Sequence, residues 1–169
     1  MTITYRDATE ADAAIMADLG GRSFTETFGH LYTPDNLAAF LEKHSEASWR
    51  GELGDPRIAV RLAEGGGATV GFAKIGPPGL PIETTPQAIE LFQFYVLEPW
   101  QGAGIAPVLM DWVLTAARDR SAADIYLSVF TENIRAQRFY ARYGFTEVAR
   151  HAFMVGTHAD EDIIMRRTL

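Results

Sequence analysis

The segment Gln101-Gly102-Ala103-Gly104-Ile105-Ala106 constrains the fold more than any other, because it joins a strongly apolar run, Ala88 to Leu97, to an amphipathic stretch that continues to about Arg120. The apolar run reads as a strand that ends at Pro99, since proline has no N–H to extend a ladder. After the glycines, Val108, Leu109, Trp112, Val113 and Ala116 recur on one face of a helix. A strand that turns through glycine into a helix gathers free backbone N–H groups and the positive end of a helix dipole at one point. Such a point suits an anion, most often phosphate, and Gly102, Ala103, Gly104 and Ala106 leave no bulky side chain to hold a pyrophosphate away. The same glycines also suit a tight connection that needs only their φ angles. A dinucleotide-binding unit is the rival phosphate reading, but Pro107 stands where its third glycine belongs, and Asp124 precedes the next apolar run where an acidic residue should follow it.

Around this turn the chain alternates strand and helix. Thr2 to Arg6 alternates as a strand, and Thr9 is placed to cap a helix from Glu10 with Ile15, Met16 and Leu19 inward. Thr33 and Pro34 signal a second helix carrying Leu37, Phe40 and Leu41. Arg57–Ala63 and Thr69–Ile75 flank Glu64-Gly65-Gly66-Gly67 and read as an antiparallel hairpin. Gly76–Pro86 is proline-rich and reads as an irregular loop. Beyond the central helix come a strand at Ile125–Phe130, a helix over about Glu132–Tyr143 closed by Gly144 as a left-handed cap, and strands at Thr146–Val155 and Asp162–Arg167. No repeat, low-complexity segment or charge block interrupts the pattern.

Length and composition narrow the classes of function. A chain of 169 residues fits one domain, here residues 1–169, and can bury roughly two-thirds of the surface that its unfolded form exposes. No apolar run approaches the roughly 20 residues of a membrane span, and the start has no basic segment followed by an apolar core. The expectation is a cytoplasmic protein that engages no membrane. Cysteine is absent, which removes disulfides, thiolate metal sites and cysteine nucleophiles. His30, His44, His151 and His158 show no metal-ligand spacing, so no metal is expected. A net charge of −7 argues against general affinity for nucleic acid and favours cationic partners.

Gln101, Gly104 and Ala106 match the pattern Gln/Arg-x-x-Gly-x-Gly/Ala that follows a core strand in the GCN5-related N-acetyltransferase (GNAT) superfamily, and the chain resembles that superfamily a second time. Asn133, Ala136, Phe139, Tyr140, Gly144 and Phe145 follow Asn-x-x-Ala-x-x-Phe-Tyr-x-x-x-Gly-Phe. The likeness continues through Phe28, Tyr32, Leu37 and Leu41 and through His151, Phe153, Gly156, Asp162, Ile164, Met165 and Leu169, where the chain is similar to PaiA-type polyamine acetyltransferases. The resemblance implies an α/β (α+β) fold: a mixed, mostly antiparallel sheet of about seven strands flanked by helices and splayed between the fourth and fifth strands. It implies acetyl-CoA as acyl donor, with the pantetheine arm pairing along Phe94, Tyr95 and Val96 and the pyrophosphate on Gln101, Gly102, Ala103, Gly104, Ile105 and Ala106. Pro107 departs from the usual Lys, Arg, Ser or Thr and removes one N–H from the first turn.

For the chemistry, transfer of an acetyl group to an amine needs an unprotonated nucleophile, stabilisation of an oxyanion and a proton for the departing thiolate. The resemblance places Tyr140 near the sulfur as the acid. It makes Glu90, at the position of a catalytic glutamate in histone-acetylating members, the candidate base. Asn133 either binds the pantetheine arm through its amide or caps a helix, or does both. The acceptor side is expected among Phe24, Thr27, Phe28, His30 and Tyr32, with Phe28 and Tyr32 as candidate substrate contacts. A small amine, polyamine-like, is the expected acceptor; a protein N-terminus or lysine, and a non-catalytic acyl-CoA-binding regulator, are the alternatives. A homodimer is compatible with the resemblance.

Overall fold

The computed structural model describes residues 2–169. Its single sheet has seven strands in the order β1-β2-β3-β4-β5-β7-β6, formed by Thr4–Asp7, Ala59–Gly65, Ala68–Gly76, Ala88–Val96, Asp124–Phe130, Thr146–Val155 and His158–Thr168, numbered β1 to β7 in chain order. Every neighbouring pair is antiparallel except β4 and β5. Five α-helices cover it: α1 Ala13–Phe28, α2 Pro34–Lys43, α3 Glu46–Leu53, α4 Ile105–Asp119 and α5 Ile134–Arg142. None of the described helices is long and apolar enough to cross a membrane.

The parallel contact between β4 and β5 is short. It registers Ala88 with Asp124, Ile89 with Ile125 and Glu90 with Tyr126, and then the strands part. Just beyond Glu90 the β3–β4 register slips between Lys74/Gln93 and Ile75/Leu91, so Phe92 is the extra residue of a bulge that bends β4 away. The sheet is therefore splayed between its fourth and fifth strands, as expected.

Its two faces bury different sets of residues. Ile89, Leu91, Ile125, Leu127 and Val129 pack under α4 and α5 with Leu109, Val113, Tyr140 and Phe145. The opposite face packs Leu62 and Phe72 against Met16, Leu19 and Trp49 of α1 and α3. A third cluster joins Phe24 and Phe40 of α1 and α2 to Val155 at the end of β6. Each large apolar side chain buried in this way contributes about 1.5–3 kcal/mol against leaving it exposed.

Several elements differ from expectation for local physical reasons. Thr9 precedes a short 3-10 turn, Glu10–Asp12, and α1 begins only at Ala13. Asp12 accepts the Thr9 N–H at 2.8 Å and also holds the Arg6 guanidinium at 2.8 Å, which keeps the chain tight there. Ile15 and Val108, both expected inward, are 45% and 42% exposed, because Met16 and Leu109 take the buried positions beside them. Helix α3 was not expected: Trp49 and Leu53 are its only large apolar residues, and its start rests on Ser45, whose hydroxyl accepts the Ser48 N–H. Strand β7 begins at His158 rather than Asp162, because its inward residues at that end are Asp160 and Asp162, which break the apolar alternation.

Two glycines dock distant parts of the chain. At Gly156, φ is 61°, and the β6–β7 turn it forms sits on α2, where Asn36 Oδ1 accepts the Thr157 N–H at 2.9 Å. At Gly65 a Cβ would lie 2.8 Å from both Ile3 and the Trp100 ring. Trp100 thus anchors the start of the 101–106 turn on the β2–β3 hairpin. Gly65→Ala is expected to overpack this contact and destabilise the fold by about 1–3 kcal/mol, read as a lower midpoint in urea at unchanged slope; an unchanged midpoint would show that the Trp100 contact yields at no cost.

Candidate functional site

The gap between β4 and β5 connects the two faces of the sheet, and the residues singled out in the sequence gather along it. Beyond Glu90, β4 has no partner on its β5 side, so its backbone offers unpaired groups there. Leu97 N–H donates to Val70 of β3, and strand alternation then turns the N–H and C=O of Phe94 and Val96 toward the gap and those of Tyr95 toward β3. Tyr95 thus presents its ring, tilted against Phe72, rather than its backbone to the site. The Val96 carbonyl accepts a hydrogen bond from Gln101 Nε2 at 3.0 Å.

Past β4 the chain makes a 3-10 turn, Glu98–Trp100, and then the glycine turn. Gly102 and Gly104 have φ values of 82° and 83°, and nothing lies within 4 Å of where a Cβ of either would be. The glycines are therefore required by backbone conformation, and the space above them is open. Gly104 is the N-cap of the 15-residue helix α4, whose first turn carries no acidic residue. Residues 101–104 are exposed while Ile105 is buried and anchors the helix start in the core. An exposed, unobstructed turn at the N-terminus of a helix has the chemistry that a pyrophosphate needs, although Pro107 leaves its first helical turn one N–H short.

Helix α5 runs beside the gap. Asn133 caps it, its Oδ1 accepting the Ala136 N–H at 3.3 Å and leaving the side-chain NH2 free to donate elsewhere. The capping role expected of Asn133 is thus present in the structure. Gln137 Nε2 donates to the carbonyls of Phe130 at 3.0 Å and Thr131 at 2.7 Å, which ties α5 to the end of β5. Tyr140 packs edge-on against Phe94 of β4 and Phe145, with ring centroids 6.2 and 5.9 Å apart. Burial, with the neighbouring Tyr95, pushes its phenol well above the ordinary tyrosine range. Burial, with the negative charge of Asp162, also pushes the Tyr95 phenol up to about 12.

Glu90 lies on the opposite face from Tyr140, at the last paired position before the strands part. It is buried, and its Oε1 accepts the Gly79 N–H of the proline-rich loop at 2.8 Å. Burial raises its carboxyl above the ordinary range, partly offset by that hydrogen bond and by Lys74. Lys74 itself is buried, paired with Glu52 and 4.6 Å from the centre of the Trp49 ring, and burial lowers its ammonium.

On the same face, farther along the gap, stands a polar network that sequence reading noted only in pieces. Ser128, on β5, donates to Asp162 Oδ2 at 2.7 Å and lies 2.8 Å from His151 Nε2. Because the hydroxyl proton goes to Asp162, the serine oxygen accepts from the imidazole. Beside it Tyr32 donates to Asp160, whose other oxygen is 3.0 Å from His158 Nε2. Asp160 and Asp162 are only 8% and 6% exposed. Phe28 is half-buried between Phe24 and Phe130, with centroids 5.2 and 6.1 Å away. Tyr32 thus meets Asp160 directly, and Phe28 packs on Phe130, the β5 residue that pairs with Asp162. Asp160 and Ser128 were missed because a polar residue on an alternating strand ordinarily faces solvent. Among the described residues no group of side chains is arranged to hold a metal ion.

Comparison with known proteins relates the chain to a family and to a known fold. Residues 23–145 match the model of the acetyltransferase (GNAT) family. An uncharacterized N-acetyltransferase of Mycobacterium tuberculosis is 34% identical over 159 residues, covering 94% of this chain and 98% of that protein. The spermine/spermidine N(1)-acetyltransferase of Bacillus subtilis is 28% identical over 126 residues, covering 67% of this chain and 83% of its own. The crystal structure of a PaiA N-acetyltransferase from Thermoplasma acidophilum in complex with coenzyme A superposes over 100% of both chains with a TM-score of 0.79 at 17% identity.

Asp162 carries a cost of burial that a pH titration can read. Burial raises its carboxyl above the ordinary range, the Ser128 hydrogen bond and His151 offsetting part of the shift. Between the unfolded aspartate value of about 3.9 and the raised folded value, the native state binds more proton than the unfolded state, so stability falls as pH rises through that window. Asp162→Asn should therefore gain stability relative to the parent at pH 7 compared with pH 4 in denaturant titrations. A difference between the two proteins that does not change with pH would show that Asp162 ionises as freely folded as unfolded.

Proposed function

The chain belongs to the acetyltransferase (GNAT) family, as an N-acetyltransferase that draws its acetyl group from acetyl-CoA, and on that premise we propose a small, polyamine-like primary amine as its acceptor. The observation that carries this reading is the pair of buried carboxylates Asp160 and Asp162, set beside Phe28 and Tyr32 with no lysine or arginine partner among the described residues. A buried anion is costly without a counter-charge, and an alkylammonium flanked by aromatic faces supplies one. The name of the Bacillus relative and the net charge of −7 point the same way.

In the proposed reaction the pyrophosphate of acetyl-CoA rests on Gln101–Ala106 and its pantetheine arm runs along the gap-facing backbone of Phe94 and Val96, with the Asn133 amide as a further donor. The amine enters from the face of α1 and α2. Glu90, directly or through water, takes one proton from the ammonium, and its raised pKa makes it a stronger base than an ordinary carboxylate. The nitrogen lone pair attacks the thioester carbon, a C–N bond forms, and the carbonyl electrons move to oxygen beside the backbone N–H groups of β4. When that oxyanion collapses the C–S bond breaks and the Tyr140 phenol protonates the leaving sulfur. The nitrogen returns its remaining surplus proton to the phenolate, and Glu90 passes its own to solvent. Like any phenol, Tyr140 is protonated at neutral pH and arrives as a donor, and burial keeps it so to higher pH.

The deciding assay is CoA thiol release with spermidine, spermine, aminoglycosides, amino acids and basic peptides. Release with polyamines is expected; release with basic peptides alone would assign a protein acceptor, and tight acetyl-CoA binding without turnover on any amine would favour a regulator. Tyr140→Phe is expected to lower kcat on the order of a hundredfold, and a variant with undiminished turnover would remove the phenol from the mechanism. Glu90→Gln should lose activity together with the acidic limb of the kcat/KM pH profile, and persistence of that limb would place the base elsewhere. Asp162→Asn should raise KM for the polyamine about tenfold while changing kcat little.

A further inference from the structure

We infer that Arg135 is a binding residue for the phosphates of CoA, supplying from α5 the positive charge that the 101–106 turn lacks. This rests on the placement of the pyrophosphate at that turn proposed above. Arg135 Nη1 donates to Gln101 Oε1, so the guanidinium is held at the first residue of the turn whose Gly102 and Gly104 face open space. The same Gln101 amide donates through Nε2 to Val96 at the end of β4. Gln101 is thereby a strap between the strand edge and α5, and Arg135 is tied to its free end.

The charges around it favour an anionic ligand. The protein carries a net −7, yet α5, Ile-Arg-Ala-Gln-Arg-Phe-Tyr-Ala-Arg, has three arginines and no carboxylate. Arg135, Arg138 and Arg142 recur at spacings of three and four, which puts them along one side of the helix, and all three are exposed. None of them forms an ion pair with any of the described carboxylates. The turn itself is short of donors: Pro107 removes one N–H from the first turn of α4, and that turn contains no cation. A planar guanidinium is suited to replace the missing donor, because it can meet two phosphate oxygens at once. Arg135 also lies five residues before Tyr140 on the same helix, about 7.5 Å along its axis. One helix therefore presents a phosphate contact at one end and the proposed acid at the other.

The test compares the binding of CoA and of pantetheine, which has the thiol arm without the phosphates, by calorimetry. The wild-type protein should prefer CoA, and Arg135→Ala should lose about tenfold or more of that preference, with Arg135→Lys regaining part of it. Arg135→Gln, which keeps the polar stem, serves if the alanine variant does not fold. A preference unchanged by the substitution overturns the inference, as does an equal loss of CoA and pantetheine binding, which would mark a structural role for Arg135. Wild-type protein that shows no preference overturns it too, and in that case the phosphate cradle at 101–106 falls with it. Neither result bears on the acceptor, which the amine panel decides separately.

Discussion

The early parting of β4 and β5 is the constraint on which the rest of the site depends. After Glu90 and Tyr126 the two strands cease to pair, and the bulge at Phe92 turns β4 away. A sheet interior ordinarily satisfies its backbone through its neighbours, so an unpaired edge in the middle of a sheet is costly unless something else completes it. Here the Gln101 side chain completes the Val96 carbonyl, and an extended ligand can complete the others. The same opening places Tyr95 between the two faces of the sheet, where Asp162 raises its phenol from one side and Tyr95 in turn raises that of Tyr140 on the other.

Elements around the opening are held by contacts between distant parts of the chain. The β6–β7 turn is hooked to α2 through Asn36, and the cluster of Phe24, Phe40 and Val155 packs between them. This brings the first two helices over the far end of the sheet, so that Tyr32 reaches Asp160 across 128 residues of sequence. On the other face, Gln137 ties α5 to the end of β5 and Trp100 ties the glycine turn to the β2–β3 hairpin. The mouth of the gap is thus framed by fixed elements, while the turn at 101–104 is exposed between them.

Polar groups buried in this sheet are concentrated beside the gap and are raised in energy by their burial. Glu90 and Asp162 both have carboxyls held above the ordinary range, and Lys74 has an ammonium held below it. Such arrangements reduce stability and are common where proton transfer or charge recognition takes place. Lys74 has a resident partner in Glu52, whereas Asp162 is bonded only to a hydroxyl and has no lysine or arginine paired with it among the described residues.

Local patterns in the sequence determined the strand–glycine–helix turn, the two family signatures, and most strands and helices to within a few residues. These were legible because glycine at positive φ, proline at a strand end and apolar spacing on a helix each follow from interactions a few residues long. Tyr140 could be singled out for the same reason, as a position in the second signature, and Glu90 by its place six residues before Val96. Helix α3, the start of β7 and the network of Ser128, His151, Asp160 and Asp162 could not, since their side chains face inward only because partners from other strands and helices surround them. Nor could the link from Gln101 to Arg135, which lie 34 residues apart and meet only once α5 packs beside the end of β4. Burial and charge pairing between distant segments belong to the tertiary structure, because no local spacing encodes what will stand opposite a given side chain.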